Sequence, residues 1–176
     1  MTNDHKQVTS LVSDSHEKST ESKKPTAKKD SSKNGKNRRK SRELVVKAVY
    51  RGMLNHAELK QIFLDMKEDP EYNRADEDYF KHLLNAVTSH LTELDAKLVD
   101  FIDRPIAELS PIEHAILRTS GCELMFDFSI PYRVVINEGV ELAKVYGGID
   151  GHKYINGVLD KLAAAVRASE VKNIRS

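Results

Sequence analysis

From Arg42 onward, apolar residues recur every three or four positions, the spacing that lays them along one face of an α-helix. Leu44, Val45, Ala48, Val49 and Met53 make the first such stripe, with Tyr50 beside it. Asn55 reads as the N-cap of a second helix, with Glu58 at its third position and Leu59, Ile62, Phe63 and Met66 facing inward. Pro70 marks its end. A long pattern follows through Tyr79, Phe80, Leu83, Leu84, Val87, Leu91, Leu94 and Leu98 to Phe101 and Ile102. Thr92 and Asp95 resemble an internal capping box, so this stretch either divides near Ser89 or runs through as one helix.

The sharpest boundary is Ser110-Pro111-Ile112-Glu113. Ser caps, Pro fits a first turn where its missing N–H costs nothing, and Glu reaches back to the cap. That helix runs to about Phe126 and turns Ile112, Ala115, Ile116, Thr119 and Cys122 inward. Ile130-Pro131 opens the next one, with Val135, Ile136, Val140, Leu142 and Ala143 as core positions. Gly147-Gly148 is expected to stop it through a left-handed terminal residue. Asp150 then caps a last helix, whose inward residues are Ile155, Val158, Leu159, Leu162 and Val166. No stretch alternates as a strand does, so the predicted class is all-α. Gly139 and Gly157 interrupt good helices at a cost of about 1 kcal/mol each relative to Ala. Both are expected where another backbone comes close.

Composition changes the picture at the N-terminus. Residues 1–36 contain only Met1, Val8, Leu11, Val12 and Ala27 as hydrophobic residues and no aromatic ring. Such a segment cannot bury enough surface to offset its ordering entropy, and it is expected to be disordered. The organisation expected is a tail over 1–36, one helical domain over 37–169 and a short tail over 170–176. Net charge is +1, but residues 1–42 hold 12 Lys and Arg against 5 Asp and Glu, whereas the remainder holds 16 against 22. A basic arm ahead of a mildly acidic body suits a polyanion, although lysines that merely keep a tail solvated give the same count. No apolar run is long enough to cross a bilayer, and no secretory leader precedes the body. The lone Cys122 allows no internal disulfide, which fits a reducing cytoplasm.

Catalytic and metal chemistry finds no foothold. There is no HExxH pattern, no P-loop, no GxSxG elbow and no dinucleotide fingerprint. The seven histidines show no ligand spacing, and Cys122 sits within a periodic helix as a small buried hydrophobe. No catalytic residue, metal or cofactor is assigned. Binding signals are clearer. Asn37-Arg38-Arg39-Lys40-Ser41-Arg42 places four cations where a helix dipole favours negative charge, so a partner explains them better than helix stability does. Asp150-Gly151-His152-Lys153-Tyr154 sets an aromatic ring beside a cation at a helix start. A ring so placed stacks on an unpaired base while the ammonium meets phosphate, or else it packs into the core.

Ile130 through Lys144 (IPYRVVINEGVELAK) and His152 through Lys161 (HKYINGVLDK) resemble paired signatures of the NusB family. The opening Arg38-Arg39-Lys40-Ser41-Arg42-Glu43, followed by Ala48-Val49-Tyr50, and the segment Leu109 to Glu123 are also similar to that family. Together they span about residues 37–168. The resemblance implies about seven helices in two packed bundles. It also implies a non-enzymatic factor that binds single-stranded boxA RNA together with the small ribosomal protein NusE. Such a complex helps RNA polymerase, with other Nus factors, to resist termination, notably on ribosomal RNA operons. Carried over residue by residue, RNA contact falls on Arg38, Arg39, Arg42, Asp150, Lys153 and Tyr154, and the NusE-facing surface on Glu108 and Glu113. Residues 1–36 have no counterpart in compact members, and Tyr154 stands where Phe is common.

Two other readings compete. NusB-like domains also occur fused to RNA methyltransferases, but no chain remains here for a cofactor-binding domain. A helical adaptor that binds only protein is the second, and Arg38 to Arg42 with Lys153-Tyr154 separate it from an RNA binder. Deleting residues 1–36 is expected to leave helicity and Tm unchanged, because the segment offers almost no core residues. A large drop in Tm of the truncated protein would show that it packs on the body.

Overall fold

Eight α-helices carry residues 37–175, the part of the chain described by this computed structural model. The segment 1–36, with its expected disorder, lies outside the described residues. The helices are α1 (Arg38–Asn55), α2 (Leu59–Lys67), α3 (Glu77–Ser89), α4 (Leu91–Leu98), α5 (Pro111–Phe126), α6 (Tyr132–Tyr146), α7 (Gly151–Val166) and α8 (Ala168–Arg175). Short 3-10 turns occupy Tyr72–Arg74 and Ile106–Glu108. Among the described residues there is no strand, only an isolated bridge between Asn37 and Ala75. None of these helices is long and apolar enough to cross a membrane.

Helix α5 is the hub. His114 through Leu117 are buried, and so are Thr119 through Leu124, which together face every direction around the helix. A helix buried on all sides must be surrounded. Helices α1, α3 and α4 pack against it, as do α6 and α7, which also pack on each other. The packing therefore centres on α5, and Phe80, Leu94, Leu98, Leu124, Leu159 and Leu162 are fully buried around it.

Several local expectations need correction. Helix α1 runs through Asn55 and ends on His56 in the left-handed region at φ 49°, its N–H donating to the Gly52 carbonyl at 3.1 Å. Asn55 is therefore no N-cap, and α2 starts one turn later behind Glu58. The long pattern does divide, with His90 as the joint between α3 and α4. Thr92 and Asp95 form no box, since Thr92 lies inside α4 and Asp95 pairs with Arg118 and His114. Ser110 is correctly placed before α5, yet its side chain makes no capping bond. Gly147 ends α6 at φ −78°, not left-handed; a Cβ there would stand 2.6 Å from the Ala143 carbonyl oxygen.

From Ala168 to Arg175 the expected tail is helical instead, and Val171 is buried. Arg167, just before α8, explains why this end is held. Its buried guanidinium donates to the carbonyls of Leu124 at 2.7 Å, Glu123 at 2.9 Å and Asp127 at 2.7 Å, satisfying the exposed C-terminus of α5. Glu170 accepts from the Tyr132 N–H at 2.9 Å and so serves the start of α6.

The two mid-helix glycines differ. A Cβ at Gly139 would meet Ser120 Oγ at 2.6 Å and Leu159 Cδ1 at 3.0 Å, which is a close approach by neighbouring helices. At Gly157 nothing lies within 4 Å, so the expected packing reason is absent. Gly157→Ala should raise stability by about 0.5–1 kcal/mol, and Gly139→Ala should lower it by roughly 1–3 kcal/mol through overpacking. Thermal melts of the two variants moving in the same direction would contradict this.

Candidate nucleic-acid interface

The start of α1 is pinned before it presents any charge. Asn37 Oδ1 accepts from the Lys40 N–H at 3.1 Å, the capping bond of a true N-cap. Ser41 Oγ donates to the Asp76 carbonyl at 2.7 Å, tying the first turn to the loop before α3. Helical geometry then sorts the cations, because residues four apart share a face and neighbours do not. Arg38 and Arg39 are exposed, Lys40 is half-buried and Arg42 is buried. Arg38 lies over the Tyr79 ring at 4.6 Å, and Arg42, one turn deeper, approaches the same ring at 5.3 Å.

Arg42 must be withdrawn from the outward-facing set. Its Nε donates to both Glu123 oxygens at 3.0 and 2.9 Å, and its Nη2 to Oε1 at 2.8 Å. The Tyr79 hydroxyl donates to the same carboxylate. With its side chain 6% exposed and its Nε and Nη2 committed to Glu123, Arg42 does not stand at the surface where a phosphate would meet it.

Arg39 points to α6, where Nε meets Glu138 Oε2 at 3.1 Å while over half of the side chain stays in solvent. Lys40 bridges Glu43 at 2.9 Å and Glu71 at 3.0 Å, and those carboxylates raise its pKa. A groove between α1 and α6, lined by Arg39, Lys40, Glu43, Glu141, Val145 and Tyr146, leads from here along α6.

Helix α6 ends four residues before the second group of predicted residues. Asp150 adopts φ 61°, a left-handed value that Asp tolerates better than most residues, and its carboxylate does not cap α7. It pairs instead with Lys153 Nζ at 2.8 Å, both groups being largely exposed. Tyr154 is half-buried against the core. Arg104 lies over its ring, with the guanidinium carbon 4.8 Å from the ring centroid. The Tyr154 hydroxyl is buried near the Asp103 carboxylate, and burial, followed by that charge, pushes its pKa up.

Glu113 reaches the same corner. A Cβ on Gly151 would stand 2.5 Å from Glu113 Oε1, so this carboxylate abuts the first residue of α7, where the helix dipole favours it. Glu108 is exposed in the turn after Arg104. Thus Arg38 and Arg39 form one group, and Asp150, Lys153, Tyr154 and Glu113 form another. No hydrogen bond or ion pair among the described residues joins the two. Sequence reasoning missed Arg104 and Tyr79. Both contacts connect residues far apart in the chain, and no spacing rule reveals them.

Two further polar groups belong to the scaffold. Burial raises the Asp95 carboxyl, but Arg118 Nη2 at 2.5 Å and His114 Nε2 at 2.8 Å outweigh it and hold the pKa at about 2. Burial, then the Glu123 charge, pushes the Cys122 thiol up to about 12, so it stays protonated at neutral pH.

Against known proteins, the model of the NusB family matches residues 39–164. The chain belongs to the NusB family. Transcription antitermination protein NusB of Methylobacillus flagellatus is 54% identical over 149 residues, covering 85% of this chain and 97% of that one. Its counterpart from Pseudomonas syringae pv. tomato is 50% identical over 136 residues, covering 77% and 82%. Solved NusB from T. maritima superposes with a TM-score of 0.67 at 26% identity, covering 78% of this chain and 99% of that chain. A crystal structure of the antitermination factors NusB and NusE with dsRNA gives 0.65 at 25% identity, covering 73% and 96%.

Within this family member, charge has separable roles. Arg42→Gln should cost about 3–5 kcal/mol, because it leaves Glu123 buried without its cation. Arg39→Gln, at an exposed pair, should stay within about 0.5 kcal/mol of wild type in urea melts. Asp95 carries the pH dependence. Its folded pKa lies below the unfolded value of 3.8, so its contribution is present above about pH 4 and is lost as pH falls towards 2. Asp95→Asn should cost about 2 kcal/mol at pH 7, and the gap should close near pH 2. A gap that does not change with pH would refute this assignment.

Proposed function

We propose that this chain is a non-enzymatic, cytoplasmic adaptor of transcription antitermination that binds nascent RNA together with NusE. The observation that carries the reading is the 54% identity to a transcription antitermination protein NusB over nearly all of that relative's length. The RNA is boxA-like and single-stranded, notably in ribosomal RNA transcripts, and the assembly acts with RNA polymerase and other Nus factors. A related NusB was crystallised with NusE and dsRNA, so duplex RNA belongs in any comparison of ligands.

The geometry supports a division of labour. Arg38 and Arg39 stand exposed at the start of α1 and meet phosphates, as does Lys153 once it leaves Asp150. Asp150 sets the entry to α7, and Tyr154 supplies a ring at the same corner. NusE docks beside Glu108 and Glu113. Next to Glu113, Ile112 shares a groove with Tyr50, Leu54 and Tyr146, which gives a protein partner apolar ground.

Salt dependence tests this reading. Replacing Arg38 and Arg39 by Gln should weaken all single-stranded RNAs and lower the slope of log affinity against log salt by about 0.7 for each phosphate no longer neutralised. Tyr154→Ala should weaken binding at nearly constant slope, since the ring at this corner carries no charge. Wild-type protein that binds no RNA, or a slope indifferent to both arginines, would contradict the proposal.

A further inference from the structure

The proposed role of Tyr154 meets an obstacle in its own surroundings. One side of the ring packs on the core, and Arg104 lies over it at 4.8 Å. A base cannot stack on this ring without displacing the guanidinium. That guanidinium also meets Asp103. Its Nε donates to Asp103 Oδ1 at 2.8 Å and its Nη2 to Oδ2 at 3.3 Å, a two-point grip that fixes the plane of the group. The side chain remains 45% exposed, and Lys153, the residue before Tyr154, stands in solvent at the same corner.

We infer that Arg104 is itself the stacking platform, with a nucleobase on its outer face, Tyr154 as the layer beneath and Asp103 as the positioning residue. The inference rests on the RNA-binding reading above and changes which atoms touch the base. Three physical points favour it. Arginine planes are established stacking surfaces for unpaired bases. An arginine already stacked on a ring and gripped by a carboxylate loses little freedom when a base arrives. The positive charge also lies close to the phosphates flanking that base, where Lys153 adds a second cation. The Asp103 carboxylate faces Arg104 from the side, which leaves the outer face of the plane available.

Lysine in place of arginine separates platform from point charge, because it keeps the charge and loses the plane. The assay is fluorescence anisotropy of the full chain with a boxA-like single-stranded RNA, with a second copy of that RNA carrying 2-aminopurine, and with thermal melts alongside. Arg104→Lys should bind roughly tenfold more weakly, with the salt slope and Tm of wild type and reduced 2-aminopurine quenching. Asp103→Asn should show a smaller loss of the same kind. Arg104→Lys that binds as wild type overturns the platform, and so does Arg104→Ala that binds more tightly, which would make Arg104 a cover over Tyr154. A loss of affinity that tracks a fall in Tm also overturns it. Wild-type protein without RNA affinity overturns this inference and the RNA-binding reading together, whereas normal wild-type binding with an unaffected Arg104→Lys overturns the platform alone.

Discussion

A charge pair taken out of water organises this molecule. Arg42 of α1 and Glu123 of α5 are both almost wholly buried and meet through three hydrogen bonds, with Tyr79 of α3 donating to the same carboxylate. Desolvating such ions costs several kcal/mol each, and only a complete set of partners offsets that cost. The requirement is geometric. Three helices must arrive in one register, or a charge is stranded in the core. Once Arg42 is fixed, the turn of α1 preceding it is fixed too, and that turn carries Arg38 and Arg39 at the surface. A structural constraint thus aims the candidate RNA contacts.

Charge plays a similar part at the other end of α5. Arg167 closes the carbonyls at its C-terminus, while Glu170 serves the N-terminus of α6. Glu113, at the start of α5, abuts the first residue of α7. Helix ends that would otherwise expose unsatisfied backbone are joined by charges of the sign their dipoles prefer. This holds α6 and α7 against α5, and so places the corner where Asp150, Lys153, Tyr154 and Arg104 meet. The exposed arginines at the start of α1 and this corner are the two candidate groups for RNA contact.

Helix identity was legible because burial on one face leaves a periodic trace in sequence, and the stripes from Leu44 to Val166 report it. The boundary at Ser110-Pro111 was legible from a proline suited to the first helical turn, whereas the division near Ser89 was an open alternative raised by a Thr92–Asp95 box that does not form. What periodicity cannot report is the partner across a helix interface. Arg42 belongs by spacing to a basic run, yet Glu123 claims it. Ser110 and Asn55 carry capping side chains, yet Ser110 makes no capping bond and Asn55 lies inside α1. Gly139 and Gly157 look alike in sequence, and only the first has Ser120 and Leu159 against it. The basic run and the Asp150–Tyr154 turn stood out from the residues themselves, the family resemblance gave them their RNA-contact role and added Glu108 and Glu113, and the structure sorted them into exposed, half-buried and buried.

RNA binding in company with NusE is tested most directly by titrating boxA-like and scrambled single-stranded RNA with the purified chain, alone and with NusE. The boxA-like RNA should bind more tightly, and NusE should add a further gain. Equal affinity for both RNAs, unchanged by NusE, would contradict the proposed role.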